Sequence, residues 1–415
     1  MTRQACLTCG KERSESDPAT RCECGGLLEL RHDPPPQRGA ALRAVFDDRL
    51  TARPAPGPAS GVWRFRELVL PGATAPVSHP EGQTPLLARA AVAAWTGVPA
   101  LQLKHEGHNP TGSFKDRGMT VAVTQACRIG ARALVCASTG NTSASLAAYA
   151  AQAGLTAIVL VPAGKIALGK LAQAVGFGAQ VLAVRGDFDA CMRLVESAAT
   201  QLGLYLANSV NPFRIEGQKT IVFDLLQQRG WEPPEWIVLP GGNLGNTAAF
   251  GKALEEALAL GLIDRLPRLA VVQADGAAPF ARAFAEGFRQ RHQVRAETIA
   301  SAIRIGNPAS WDRAVQAVRA TRGVVLSVSD AEILEAKGVV DRAGIGCEPA
   351  SAASVAGVRK LAASGTVSAG ASMVAVLTGH MLKDPEILLE IAAKHGGGIQ
   401  EIEPTLAALA AALGG

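Results

Sequence analysis

Short apolar runs alternate with Ala-rich amphipathic stretches through most of the chain. The runs at 133–137, 156–161, 180–184, 236–239 and 269–273 have strand length. Between them, 142–153, 165–175, 188–202 and 247–260 carry the wider spacing of helices that bury one face. A helix-like run, 119–126, precedes the first of these strands, and an Ala/Leu-rich stretch, 406–413, predicts a terminal helix. Strand and helix in strict alternation predict right-handed βαβ units and an α/β fold of mostly parallel sheets covered on both faces. No internal repeat interrupts the pattern.

The first 60 residues break it. Cys6 and Cys9 form one close pair, Cys22 and Cys24 a second, with twelve residues between the pairs and glycines at Gly10, Gly25 and Gly26. Such pairs can converge on one tetrahedral ion, so residues 1–30 predict a zinc-ribbon-like module. A ribbon of free thiols is the alternative, and Cys-x-Cys is less common than Cys-x-x-Cys. Residues 31–60 hold Pro34, Pro35, Pro36, Pro54, Pro56 and Pro58, which predicts an extended connector. The expected division is a lead-in and start of a large domain over 31–97, a smaller α/β domain over 98–213, and a larger one over 214–415.

Composition narrows the class. With 415 residues, 48% hydrophobic and 19% charged, the chain suits a folded protein of two or three domains. The net charge of +5 is small, and basic residues are interspersed with acidic ones, so no nucleic-acid partner is expected. No apolar run reaches the length of a signal peptide or membrane span. A cytoplasmic location is expected, with the eight cysteines as thiols or metal ligands.

Candidate chemistry clusters in turn-rich segments beside predicted elements. Lys115, in Asn-Pro-Thr-Gly-Ser-Phe-Lys-Asp-Arg, stands where a loop gives way to an apolar helix. Burial there lowers an ammonium pKa and frees the amine to attack a carbonyl; a surface lysine is the plainer reading. Gly241-Gly242-Asn243-Leu244-Gly245-Asn246 follows a strand and opens a helix, which suits a phosphate cradle or merely a tight turn. It has neither the Gly-Lys-Ser/Thr of a nucleotide loop nor Gly-x-Gly-x-x-Gly. Ser138, Thr139, Asn141 and Thr142 stand at another helix start, where they could hold a carboxylate or cap the helix. Arg214 could grip a phosphate or make a surface ion pair. Thr378, after an apolar strand, offers a neutral hydroxyl to a ring nitrogen. A lysine, a phosphate cradle, a carboxylate loop and a lone hydroxyl together fit pyridoxal 5'-phosphate.

These segments, with Gly82-Gln83-Thr84-Pro85-Leu86, Asn211 to Thr220, Ala302-Ile303-Arg304-Ile305-Gly306-Asn307-Pro308 and Leu377-Thr378-Gly379-His380, resemble the threonine synthase family of fold-type II pyridoxal-phosphate enzymes. The resemblance spans about Gly82 to Asp384. It implies two open, mostly parallel twisted-sheet domains that clasp the cofactor, and a homodimer. It implies a lyase reaction, O-phospho-L-homoserine plus water giving L-threonine and phosphate. Lys115 would carry the cofactor as a Schiff base and shuttle protons. Asn141 would bond the cofactor's phenolate oxygen. Gly242, Asn243, Leu244, Gly245 and Asn246 would hold its phosphate through backbone amides, and Thr378 would face its ring nitrogen. Ser138, Thr139 and Thr142 would border the substrate carboxylate, with Lys104 and Arg214 on the substrate phosphate. Met381 departs from the family's usual glycine and puts the seating of Thr378 in question. A serine or threonine dehydratase on the same fold is the nearest alternative, and a non-catalytic zinc-ribbon binding protein on a degenerate frame the most distant.

Overall fold

The computed structural model of the chain describes residues 1–51, 60–164, 168–368, 370–394 and 399–413. Strand β1 (Thr2–Cys6) pairs antiparallel with β2 (Glu12–Ser14) and β3 (Leu28–His32). The chain turns at both cysteine pairs, where Gly10 and Gly25 adopt left-handed φ values of 73° and 82° that other residues rarely tolerate.

Ten further strands follow among the described residues: β4 (Leu86–Leu87), β5 (Leu101–His105), β6 (Ala133–Ala137), β7 (Thr156–Pro162), β8 (Gln180–Val184), β9 (Tyr205–Leu206), β10 (Trp236–Pro240), β11 (Arg268–Ala274), β12 (Val324–Val328) and β13 (Met373–Leu377). They form two sheets. The larger has the order β12-β11-β10-β13-β5-β4, and the smaller β8-β7-β6-β9. Every neighbouring pair is parallel except β4 with β5. Strands β6, β10 and β13 are buried at every position, as their uninterrupted apolar sequences require of strands covered on both faces.

The predicted strands and helices lie within a few residues of those observed. The helix expected from Lys165 begins, among the described residues, at Leu168.

Two expectations are corrected. Residues 31–60 do not form one extended connector, because Gly39–Thr51 is a helix whose Leu42 and Phe46, one turn apart, are buried in the core. Pro54, Pro56 and Pro58 lie outside the described residues. The boundary at residue 98 also moves, since β5 pairs with β13 and so belongs to the larger sheet. The smaller sheet draws its strands only from residues 133–206.

A buried ion network joins the segments around the lysine loop. Asp224 accepts from Arg64 at 2.7 Å, Lys104 at 2.9 Å and Arg117 at 2.7 Å, while Arg117 also grips Glu106 at 2.6 Å. The ribbon docks through its third strand. His32 bonds Glu216 at 2.9 Å, and Arg313 donates to the Leu28 carbonyl. Glu216 also pairs with Lys219 and Lys252.

Candidate active site

The lysine loop is held from both ends. Ser113 pairs with Gly379 as an isolated bridge; the Phe114 N–H donates to the Thr378 carbonyl at 3.0 Å, and His380 N–H to the Gly112 carbonyl at 2.9 Å. Lys115 therefore begins its helix (Lys115–Arg128) directly beside the end of β13. Asp116 braces the loop from beneath, accepting from the Thr111 N–H and hydroxyl and from Ser145. Burial raises its pKa to about 6.

Lys115 Nζ lies 4.0 Å from the centre of the Phe114 ring and has no hydrogen-bond partner among the described residues. Burial, and next the nearby Arg214 guanidinium, bring its pKa down to about 7, against a weaker upward pull from Glu348. An amine in that range is partly neutral at physiological pH and therefore nucleophilic.

Arg214 arrives on a second helix, Pro212–Gln218, whose start is capped by Asn211. The two helices cross backbone against backbone. A Cβ on Gly217 would lie 1.7 Å from the Arg117 carbonyl oxygen, and one on Gly118 would lie 2.9 Å from the Arg214 oxygen. Only glycine permits that approach, and it brings Arg214 beside Lys115. Arg214 is 1% exposed, and one guanidinium nitrogen donates to the Ala207 carbonyl at 3.0 Å. Among the described residues its Nε and second terminal nitrogen have no partner. A buried cation with unused donors costs several kcal/mol by order of magnitude, which an anion would offset.

The glycine loop lies between β10 and the Gly245–Ala259 helix. Leu244 caps this helix in the left-handed region, φ 62°, with no side-chain bond. Among the described residues the amides of Gly242, Asn243, Leu244, Gly245 and Asn246 find no acceptor. The loop is held from behind by the Ile-Arg-Ile-Gly-Asn-Pro segment and its continuation. Asn243 Oδ1 accepts from Ala309 N–H, its carbonyl accepts from Ser310 N–H, and a Cβ on Gly242 would meet Ala302 and Ile303 at 3.1 Å. Among the described residues, buried Gln218 Oε1, Asn246 Oδ1 and Thr247 Oγ1 are unpartnered nearby, and Gln218 Oε1 is 3.4 Å from the Cβ position of Gly245. A fixed fan of free amides at a helix start suits a phosphate.

Ser138 and Thr139 form the turn before the Asn141–Gln152 helix; Asn141 and Thr142 open it. Ser138 Oγ accepts from Gly140 N–H at 3.2 Å. Asn141 reaches across to Glu348, donating to Oε2 at 2.9 Å, and Thr378 Oγ1 lies in hydrogen-bond contact with Oε1 of the same carboxyl at 3.1 Å. Glu348 thus ties two predicted site residues together. It was not anticipated from the sequence, where it merely precedes Pro349 at a helix start. Lys383 also approaches: its Cε is 3.0 Å from the Cβ position of Gly112, and its amine bonds Gln173.

Lys104 is not part of this site, contrary to expectation. Its amine is fully buried and donates to Thr84 O (2.7 Å), Asp224 Oδ2 (2.9 Å) and Gln228 Oε1 (2.8 Å). An ammonium has three donors, so none remains for a substrate phosphate. Met381 packs against Gly346, on the approach to Glu348.

The four N-terminal cysteines converge. Their Sγ atoms lie 3.5 Å (Cys6–Cys24), 3.7 Å (Cys9–Cys22) and 3.5 Å (Cys9–Cys24) apart, all four within 4.8 Å of one another. Tetrahedral thiolates about 2.3 Å from zinc would be about 3.8 Å apart. The Cys9 and Thr8 amides point at Cys6 Sγ, and its pKa is down at about 6.

Residues 77–379 match the family described as pyridoxal-phosphate dependent enzyme. Threonine synthase of Methanosarcina acetivorans is 44% identical over 389 residues, covering 93% of each chain. That of Mycobacterium leprae is 52% identical over 317 residues, 76% of this chain and 86% of its own. The structure of threonine synthase from Escherichia coli superposes with a TM-score of 0.70 at 21% identity, over 97% of this chain and 92% of that one; at that identity the likeness shows the fold.

Proposed function

The chain belongs to the family of pyridoxal-phosphate-dependent enzymes, and from that premise we propose that it is a threonine synthase, turning O-phospho-L-homoserine and water into L-threonine and phosphate. The relatives named above carry that activity in their names over most of this chain's length. The observation that carries the reading is Arg214, buried beside Lys115 with two nitrogens unpartnered among the described residues. The glycine loop supplies one anion site, and Arg214 supplies the second that a phosphorylated substrate needs. A dehydratase acting on serine or threonine needs only one.

The residues present fit pyridoxal 5'-phosphate. Lys115 offers the amine, Gly242, Asn243, Leu244, Gly245 and Asn246 the phosphate amides, Thr378 the ring-nitrogen partner, and Asn141 the partner for the phenolate oxygen. When bound, the cofactor supplies an electron sink for the carbanion left by proton removal. Lys115 Nζ takes the substrate's α proton, and its lowered pKa suits it to move protons near neutrality. Arg214 grips the γ-phosphate by charge-assisted bonds and stabilises it as it departs. Ser138, Thr139 and Thr142 border the substrate carboxylate at the helix start, where the Thr139, Asn141 and Thr142 amides have no acceptor among the described residues.

The same reading makes the N-terminal module a zinc ribbon. Cys6, Cys9, Cys22 and Cys24 would fill all four zinc positions and leave none for chemistry. It takes the enzyme as a cytoplasmic homodimer with no nucleic-acid partner. Interspersed charge supports the last of these, and exposed Leu382, Leu389, Leu406 and Leu409 offer apolar surface to a second copy. Among the described residues, no helix is long and apolar enough to cross a membrane.

The test is threonine and phosphate formation from O-phospho-L-homoserine by the cofactor-loaded protein, beside Lys115→Ala. Equal yields of both products, abolished in the variant, are expected. Ammonia release from serine or threonine without turnover of the phosphorylated substrate would replace this reading with the dehydratase one.

A further inference from the structure

The Glu348 carboxyl lies between the residues assigned to the cofactor's phenolate oxygen and to its ring nitrogen. It is 1% exposed. Its Oε2 receives the Asn141 amide and its Oε1 lies 3.1 Å from Thr378 Oγ1. Its own N–H donates to the Gly379 carbonyl at 3.1 Å, and a Cβ on Gly379 would lie 2.5 Å from the carboxyl carbon. The group is therefore locked against the backbone turn that carries Thr378.

The hydroxyl has one proton to give and two lone pairs to fill. Ser351 Oγ lies 3.0 Å from Thr378 Oγ1 and itself accepts from the Gly379 N–H at 2.9 Å. Ser351 can fill one lone pair of Thr378. If Glu348 is ionised, it draws the Thr378 proton to itself, and only a lone pair faces the ring nitrogen. If Glu348 carries a proton, it donates to Thr378 and fills the second lone pair. The Thr378 proton then has one direction left, toward the ring.

We propose that Glu348 is a positioning residue that, as an uncharged carboxyl, turns the Thr378 hydroxyl toward the cofactor's ring nitrogen and keeps that nitrogen unprotonated. This rests on the reading that Thr378 faces the ring. The charged and titratable groups around Glu348 are Lys115, Cys347, Lys383 and Asp384. Burial first, and then Asp384, raise its pKa against the opposing bonds from Asn141 and Thr378 and the charge of Lys383. With the ring nitrogen neutral, the electron sink is weakened, which suits a reaction that must pass charge onward to expel phosphate rather than hold it at the α carbon.

The test compares wild type, Glu348→Gln and Glu348→Met as holoenzymes loaded with cofactor labelled with 15N at the ring nitrogen. Glutamine keeps a donor toward Thr378 and an acceptor for Asn141; methionine keeps the volume alone. Expected are an unprotonated, hydrogen-bonded nitrogen shift in wild type and Glu348→Gln, and a displaced shift in Glu348→Met. Cofactor affinity in the methionine variant should fall about fivefold, what one net hydrogen bond is worth. A protonated ring nitrogen in wild type, or a change of its state in Glu348→Gln, would mean that an ionised carboxylate acts there and overturns the proposal. A Glu348→Met spectrum identical to wild type would reduce the residue to a space-filler. Wild type that takes up no cofactor overturns the underlying reading as well, and shows it before any variant is compared.

Discussion

Alanine at position 217 is the sharpest challenge to the site's construction. Its Cβ would meet the Arg117 carbonyl oxygen at 1.7 Å, its carbon at 2.5 Å and Gly118 Cα at 2.8 Å. Ordinary carbon–oxygen contacts need about 3.2 Å, so the two helices must part by about 1.5 Å. Arg117 cannot yield easily, because its side chain is fixed to Glu106 and Asp224. The Pro212–Gln218 helix must retreat, and Arg214 retreats with it. Overpacking of this size costs about 3 kcal/mol, and a displacement above 1 Å at a positioning residue costs about 100-fold in rate. Gly217→Ala should therefore lose about 3 kcal/mol in urea denaturation. Its kcat/KM on O-phospho-L-homoserine should fall about 100-fold, mostly through KM, while bound cofactor is retained. Gly118→Ala, whose Cβ would stand 2.9 Å from the Arg214 oxygen and 3.2 Å from two side-chain atoms, needs a smaller shift and should lose about 1 kcal/mol. Wild-type stability and kcat/KM in Gly217→Ala would refute the backbone-to-backbone crossing. A larger loss in Gly118→Ala than in Gly217→Ala would refute the spacing argument.

Other outcomes follow from the same geometry. Capture of cofactor by the apo-protein requires the neutral Lys115 amine, so its rate should rise with pH and level off above about 7; stopped-flow absorbance measures this, and a midpoint near 10 would contradict the buried setting. Arg214→Gln should raise KM for the phosphorylated substrate about 50-fold, the worth of charge-assisted bonds, with little change in cofactor binding; unchanged KM would remove Arg214 from the phosphate site. Burial pushes Asp224 up, but Lys104, Arg117 and Arg64 hold it well below the usual carboxylate range. Its stabilisation is present above the unfolded carboxylate pKa of about 4 and is lost as pH falls through the folded value. Asp224→Ala should cost about 3–5 kcal/mol at neutral pH by stranding buried cations, read from the denaturation midpoint. Protein from zinc-supplemented cells should carry one zinc per chain by atomic absorption, lost together in Cys6→Ser/Cys9→Ser.

The alternating units were legible because local pattern decides them. Strand β6 and the Asn141–Gln152 helix are set by adjacent residues, and their ends lie within a residue or so of expectation. The Gly39–Thr51 helix left a signal, Leu42 and Phe46 one turn apart, that the surrounding prolines outweighed. Placing β5 in the larger sheet required knowing that it pairs with β13, which no local pattern encodes. The same distance hid the true partners of side chains. Lys104 reads as a free cation until Asp224, 120 residues later, is folded against it. Glu348 belongs to no local motif, and its role shows only when Asn141, 207 residues earlier, meets it. The Ile-Arg-Ile-Gly-Asn-Pro segment was conspicuous without a role, because its work is to support another loop.

The pairing of Ser113 with Gly379, and of β5 with β13, sets a timetable for the growing chain. The lysine emerges from the ribosome early, but the strand that flanks it is among the last to be made. Until β13 arrives, β10 and β5 have no neighbour between them, and each presents a bare edge open to wrong pairing. The lysine loop has nothing to lie against in that interval. Cofactor capture is then a late event of biosynthesis, and a chain cut short before Met373 would be both colourless and adhesive.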